Sequence, residues 1–163
     1  MSLSALCQRC GLCCDGSLFS HVPLRPEEAE PARRHGLDVE TLGGAPALRQ
    51  CCTALKDRRC TRYAERPEGC RAYGCHLFKA LASGRVSADE ALAVVERAHT
   101  LLSALEKSLP PDTDARPSSV MERARFADLS EDGISPATRG LREQAEAHLD
   151  EHFHGGPRHF AGS

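Results

Sequence analysis

The 163-residue chain has no tryptophan and only seven aromatic side chains, five phenylalanines and two tyrosines. Aromatic residues supply much of the buried area of an ordinary core, so this scarcity predicts a small core. No run of about 18 apolar residues occurs, which excludes a transmembrane helix. The first six residues also lack the basic and apolar segments of a secretory signal. We therefore expect a protein of a reducing, bacterial-type cytoplasm, with no membrane partner.

An excess of positive charge is also lacking, since the formal net charge is −2. No basic stripe interleaved with aromatic residues is present, so nucleic acid is not expected as a partner. The phosphate-binding motifs G-x-x-x-x-G-K-[ST] and G-x-G-x-x-G are absent. No catalytic residue is assigned from the sequence, which leaves open whether the protein is an enzyme.

Cysteine is the residue type that the chain has in unusual abundance, and all nine copies lie between Cys7 and Cys75. Nine in 163 is about 5.5%, below the roughly 8–10% typical of a secreted disulfide scaffold. Cysteines clustered in a cytosolic protein are interpreted first as metal ligands or redox centres. The distribution therefore predicts a metal-binding N-terminal half.

The first group of cysteines is the string CQRCGLCC, in which Cys7, Cys10, Cys13 and Cys14 follow the spacing C-x2-C-x2-C-C. A two-residue spacer lets the chain turn back so that two sulfurs face one metal, and Gly11 relieves the turn. Three sulfurs at this spacing can also hold one face of a 4Fe-4S cluster. Because neighbouring side chains diverge, we expect Cys14 to reach a second metal or to bridge two metals.

The second group has longer spacings and contains Cys51, Cys52, Cys60, Cys70 and Cys75. Six basic residues lie between Cys52 and Cys75: Lys56, Arg58, Arg59, Arg62, Arg66 and Arg71. We expect some of them to compensate the negative charge of metal-bound thiolates. Both tyrosines, Tyr63 and Tyr73, also lie here and are expected to form a small local core over the metal site.

The motifs CQRCGLCC, CTAL and CTRYAERPEGCRAYGC together resemble the YkgJ-type cysteine-cluster family, whose domains are described as zinc- or iron-chelating. The resemblance implies that Arg66 and Arg71 position the turn between the later ligands or donate hydrogen bonds to sulfur. It leaves Cys51 as an extra thiol. The implied ligand set has eight members: Cys7, Cys10, Cys13, Cys14, Cys52, Cys60, Cys70 and Cys75.

Eight thiolates can form two tetrahedral S4 sites for zinc or iron ions, or one 4Fe-4S cluster with further ligation. The leading hypothesis is a cytosolic zinc- or iron-binding protein in which metal binding supplies folding free energy. An iron-sulfur redox protein or modification enzyme is the first alternative. A metallochaperone or interaction module that hands metal to a protein partner is the second.

Helical patterns dominate the rest of the chain, and strand signals are weak throughout. We expect a mainly α fold in which an irregular, metal-organised cysteine-cluster half packs with C-terminal helices. Residues 1–108 should form the cysteine-cluster domain with its long helix, and residues 109–163 a helical extension with a histidine-rich tail. Capping residues and apolar periodicity predict helices at 26–35, 87–108, 119–129 and 136–153.

Histidines offer further ligands in two places. Near the cysteines, a histidine could replace a thiolate or carry protons, although a lone histidine is more often a surface residue: His21, His35 and His76. At the C-terminal end, four histidines suggest either an accessory metal site or a polar, frayed terminus: His148, His152, His154 and His159.

Overall fold

Helices make up 53% of residues 1–156, which are the residues that the computed structural model describes, and strands make up 10%. The fold is therefore mainly α, as the sequence predicts. The helices are α1 (Leu3–Cys10), α2 (Pro26–Arg34), α3 (Glu68–Ala72), α4 (His76–Ala82), α5 (Ala88–Ser108), α6 (Val120–Leu129) and α7 (Pro136–Leu149). A 3₁₀ turn at Tyr63–Glu65 and a π-helical turn at Asp150–His154 complete the helical structure of these residues.

The strands within residues 1–156 are short and antiparallel: β1 (His21–Pro23), β2 (Val39–Leu42), β3 (Ala45–Arg49), β4 (Leu55–Lys56) and β5 (Arg59–Cys60). The first three form a sheet in the order β1-β3-β2, and β4 pairs with β5 as a hairpin. The sequence does not predict these strands, because two to five residues show too little alternation to distinguish a strand from a loop.

The chain divides into two compact units. The cysteine-rich unit comprises residues 7–73 and 113–119, and includes both sheets, α2 and α3. Of the described residues, the helical unit comprises 1–6, 74–112 and 120–156, and includes α4 to α7. No helix within residues 1–156 has the length and apolar character needed to cross a membrane.

The core of the cysteine-rich unit lies where α2 meets the three-stranded sheet. Its buried members are all aliphatic: Val22, Leu24, Ala32 and Leu48. Further buried aliphatic residues of the unit are Leu12, Leu18, Ala29, Ala47 and Ala54. Val22 and Val39 both pair with Leu48 in the sheet, which brings the three side chains together. Each large aliphatic side chain contributes about 1.5–3 kcal/mol when fully buried, so this core is modest.

The helical unit is built on α5, whose start and apolar face agree with the sequence prediction. Ser87 accepts a hydrogen bond from Glu90 N at 3.2 Å, and the Glu90 carboxylate accepts one from Ser87 N at 2.6 Å. One face of the helix is buried: Ala91, Val95, Ala98, Leu101, Leu102 and Leu105. The other three predicted helices are also confirmed, and the last of them ends in the π-helical turn.

Candidate metal centre

The first cysteine group begins on α1, where Cys7 and Cys10 are three residues apart and therefore on one face. Gly11 ends the helix with a φ of +69°, a conformation that side chains other than glycine's rarely adopt. A Cβ at Gly11 would lie 2.9 Å from the carbonyl oxygen of Arg58. Two constraints therefore require glycine at position 11: the positive φ of the turn and the close approach of the β4–β5 hairpin.

That hairpin places Cys60 beside the first group. Its turn consists of Asp57 and Arg58, with φ angles of 48° and 64°, and two consecutive positive φ angles match the twist of a tight hairpin. Cys60 ends β5 and pairs with Leu55 on β4. The hairpin that carries Cys60 thus rests against Gly11 through Arg58.

A second close approach positions Cys70, which lies on α3. A Cβ at the preceding Gly69 would lie 2.6 Å from the carbonyl oxygen of Pro23 and 2.7 Å from Cγ1 of Val22. The absence of a side chain lets α3 contact β1 directly. Glu28 fixes the start of the same helix, since its carboxylate accepts hydrogen bonds from Glu68 N at 2.8 Å and Arg25 N at 2.9 Å.

Two hydrogen bonds join the first cysteine group to the start of the second. Cys52 N donates to the carbonyl oxygen of Cys14 at 2.7 Å. The thiol of Cys51 donates to the carbonyl oxygen of Asp15 at 3.1 Å. Cys51 itself has a φ of 36°, so the chain turns sharply between the two contacts. Cys51 thus contacts the main chain of the first group with its side chain.

Four thiols of the cysteine-rich unit act on one another electrostatically, and we call them the thiol quartet: Cys14, Cys52, Cys60 and Cys70. Burial and the three other thiols raise the pKa of Cys14 to about 12. Burial, Cys52 and Cys60 raise the pKa of Cys70 to about 11, against the opposing effect of the Arg66 guanidinium. Such effects fade beyond about 10 Å at 0.1 M salt, so four separate segments bring their thiols into one neighbourhood.

The quartet's chemistry fits zinc or iron, because four thiolates bind either metal in tetrahedral sites. The raised pKa values of Cys14 and Cys70 mean that these two thiols are protonated at neutral pH without a cation, and metal binding releases their protons. Within residues 1–156, no three Cys, His, Asp or Glu side chains converge closely enough to hold a metal ion as they stand. The fold brings the four segments together, while the sulfurs are not in ligating positions.

A comparison with family models identifies the N-terminal half. The model named CxxCxxCC, with the description "Putative zinc- or iron-chelating domain", matches residues 6–94. The chain belongs to this family. No curated protein and no solved structure gives a significant match.

The match to the CxxCxxCC family covers all nine cysteines and reaches into α5. It spans residues of both compact units, since Cys75 belongs to the helical unit. Cys75 precedes α4, and its sulfur accepts a hydrogen bond from Phe78 N at 3.3 Å. Burial raises the pKa of Cys75, while the backbone N–H groups of Phe78 and Leu77 lower it. Hydrogen bonds of this kind also stabilise thiolates bound to metal clusters.

Arg66 takes the expected role of positioning the turn between Cys60 and Cys70. The Arg66 guanidinium lies 3.5 Å from the centroid of the Tyr63 ring, and its Nε donates to Tyr63 O at 2.8 Å. Arg66 therefore holds the 3₁₀ turn before α3 and lowers the pKa of Cys70. Tyr73 packs edge-to-face on Phe19 with ring centroids 4.7 Å apart, although 39% of Tyr73 remains exposed.

The histidines near the cysteines have other surroundings. His21 lies 2.8 Å from a carboxylate oxygen of Glu40 through Nε2, and 3.0 Å from Ser20 Oγ through Nδ1. His35 follows the last residue of α2, and His76 is the first residue of α4. Of the C-terminal histidines, His159 lies outside the described residues.

Two carboxylates near the site were not singled out by the sequence. Asp15 follows Cys14 and is largely buried, which raises its pKa to about 6 even though Ser17 N donates to it at 2.7 Å. Glu28 stands three residues after Arg25, the spacing of a capping box. That spacing predicts its contact with Arg25, whereas its contact with Glu68 joins residues 40 positions apart and has no local signal.

Proposed function

We propose that this member of the CxxCxxCC family binds zinc or iron through eight cysteines, and that the thiol quartet forms one of its metal sites. The quartet is the observation that carries the proposal. Each of its four thiols comes from a different segment, and every pair of them interacts electrostatically. A protein gains nothing by gathering four partly buried thiols unless a cation is bound, because each ionised thiol opposes ionisation of the others.

The backbone supports the quartet at each of its members. Cys14 and Cys52 are joined through their main chains at 2.7 Å. Cys60 is held by the contact of Arg58 with Gly11, and Cys70 by the contact of Gly69 with β1. Replacement of these glycines by any larger residue would displace a thiol-bearing segment. The arrangement is typical of a structural site, in which four protein ligands leave no open position.

The four remaining cysteines of the proposed set are Cys7, Cys10, Cys13 and Cys75. Cys7 and Cys10 share one face of α1, and Cys13 follows at the same spacing beyond the Gly11 turn. We assign Cys7, Cys10 and Cys13 to a second metal, and Cys75 remains a proposed ligand of the set of eight. The spacing is also that of cluster-binding ferredoxins, so an iron-sulfur redox centre is the second candidate function.

The small core of the cysteine-rich unit favours a structural role. Among residues 7–73, only five buried hydrophobic side chains are larger than alanine, so the apolar contribution to folding is limited: Leu12, Leu18, Val22, Leu24 and Leu48. Structural zinc contributes its binding free energy directly to folding, and removal of the metal then unfolds the domain. We therefore propose that metal stabilises the cysteine-rich unit.

A pair of variants tests the quartet. Cys60→Ser removes one quartet thiol, and we expect a loss of about one metal ion per chain together with a fall in the free energy of unfolding. Cys51→Ser is the matched control, because a serine hydroxyl can still donate to Asp15 O. We expect the control to retain its metal. Equal metal loss from both variants, or metal loss from neither, would overturn the assignment of the quartet.

A further inference from the structure

A pair of histidines in the helical unit lies apart from the cysteines in the sequence. His148 and His152 are four residues apart across the end of α7 and the π-helical turn that follows it. Their ring centroids are 4.6 Å apart and their planes are inclined by 57°. Histidines at this spacing on one helical face are a known way of presenting two nitrogen ligands to zinc.

The orientation of His148 is fixed by a backbone contact. Its Nε2 lies 2.9 Å from the carbonyl oxygen of Val94 on α5. A carbonyl oxygen only accepts hydrogen bonds, so Nε2 carries the proton and donates it. Nδ1 of the neutral ring is then left with its lone pair. Metal-binding histidines show the same pattern, donating one ring N–H to a carbonyl or carboxylate while the other nitrogen binds the metal.

The distance between the rings agrees with a shared metal ion. Zinc binds histidine nitrogen at about 2.0–2.1 Å, which places the metal about 3.2 Å from the ring centroid. Two such rings have centroids about 4.5 Å apart at the 90° ligand angle of a tetragonal site, and about 5.2 Å apart at the 109° angle of tetrahedral zinc. The separation of 4.6 Å between His148 and His152 lies within this range.

We propose that His148 and His152 form a two-histidine chelate for a divalent metal of the class that imidazole prefers, such as Zn²⁺. Among residues 1–156 no third ligating side chain joins them to complete a site, so water would occupy the remaining positions. The site is therefore open and exchangeable, unlike the closed thiolate site proposed for the quartet, and it does not depend on that site.

Zinc titration of the full chain tests this chelate. The protein is first saturated with zinc and freed of excess, so that the cysteines do not compete for further metal. We expect one additional Zn²⁺ to bind, with the ring nitrogen signals of His148 and His152 shifting together in NMR spectra. His152→Ala should weaken this binding at least about tenfold, because a single imidazole lacks the effective concentration supplied by its neighbour.

The matched control is His35→Ala, which removes an exposed histidine that follows α2 and should leave the titration unchanged. His152→Gln keeps a polar side chain at this half-buried position and should give the same loss as His152→Ala. Binding to either His152 variant with unchanged affinity, or equal weakening by His35→Ala, would overturn the chelate. The ring signals report on these histidines alone, so failure of the cysteine centre would be seen separately as missing metal before the titration.

Discussion

Replacement of Gly69 by alanine tests whether α3, and with it Cys70, lies against β1 as the structure shows. The added Cβ would meet Pro23 O at 2.6 Å and Val22 Cγ1 at 2.7 Å. Both partners belong to a strand that is paired with β3, so they cannot move aside as the end of a flexible side chain would. The helix must shift, and Cys70 must shift with it.

The size of the effect follows from two opposing terms. Overpacking of this kind costs about 1–3 kcal/mol. Replacement of a glycine inside a helix by alanine increases the free energy of unfolding by about 0.5–1 kcal/mol. The matched control is Gly140→Ala on α7, where no atom lies within 4 Å of the added Cβ and only the favourable term applies. The difference between the two variants is therefore the steric term alone, about 1–3 kcal/mol.

Urea unfolding of the metal-replete protein, followed by circular dichroism, measures that difference. Metal retained after dialysis against a chelator gives a second readout, and we expect Gly69→Ala to lose metal faster than Gly140→Ala because Cys70 is displaced. If Gly69→Ala stabilised the protein as much as Gly140→Ala and kept its metal equally well, α3 would not lie against β1 at Gly69.

Two further predictions concern the supports of the site. Gly11→Ala should cost about 1–3 kcal/mol more in unfolding free energy than Gly43→Ala, because both glycines have a positive φ but only Gly11 faces a close contact, the carbonyl of Arg58. Equal urea midpoints for the two variants would show that the hairpin does not rest on Gly11. Glu28→Gln should cost about 1–3 kcal/mol at neutral pH, since its carboxylate accepts a hydrogen bond from Glu68 N. Although desolvation raises the pKa of Glu28, the hydrogen bonds that its carboxylate accepts from Glu68 N and Arg25 N lower the pKa overall. The stabilisation of the folded protein by the Glu28 carboxylate is therefore fully present above the ordinary carboxyl pKa. It is lost as the pH falls through the lowered pKa of the folded state. The gap between wild type and Glu28→Gln should narrow in acid, and a gap independent of pH would contradict this role.

Four helices, α2, α5, α6 and α7, could be predicted from the sequence because their signals are local. The capping box of Ser87 and Glu90 and the apolar repeat of α5 lie within one segment, and Ser135 with Pro136 marks the start of α7 in the same way. The strands could not be predicted, since their stability depends on pairing with distant partners. His21, for example, pairs with Arg49, 28 positions later.

For the candidate metal centre, the sequence indicates the type of ligand but not the arrangement. Clustering indicates that thiols bind metal, whereas the choice of Cys14, Cys52, Cys60 and Cys70 as a group depends on long-range contacts. The approach of Arg58 to Gly11 is one such contact, and no property of either residue alone reveals it. The full set of eight ligands and the spare role of Cys51 stay predictions.

Elemental analysis with a visible spectrum, on untagged protein purified without oxygen, determines whether the cysteines bind metal and which metal it is. We expect stoichiometric zinc or iron, with about two ions per chain if the eight thiols form two S4 sites. Colourless protein with zinc would support the structural role. Iron with acid-labile sulfide and a visible band that bleaches on reduction would support the redox alternative. Protein that carries no stoichiometric metal after expression in metal-replete medium would show that the cysteines do not form metal sites.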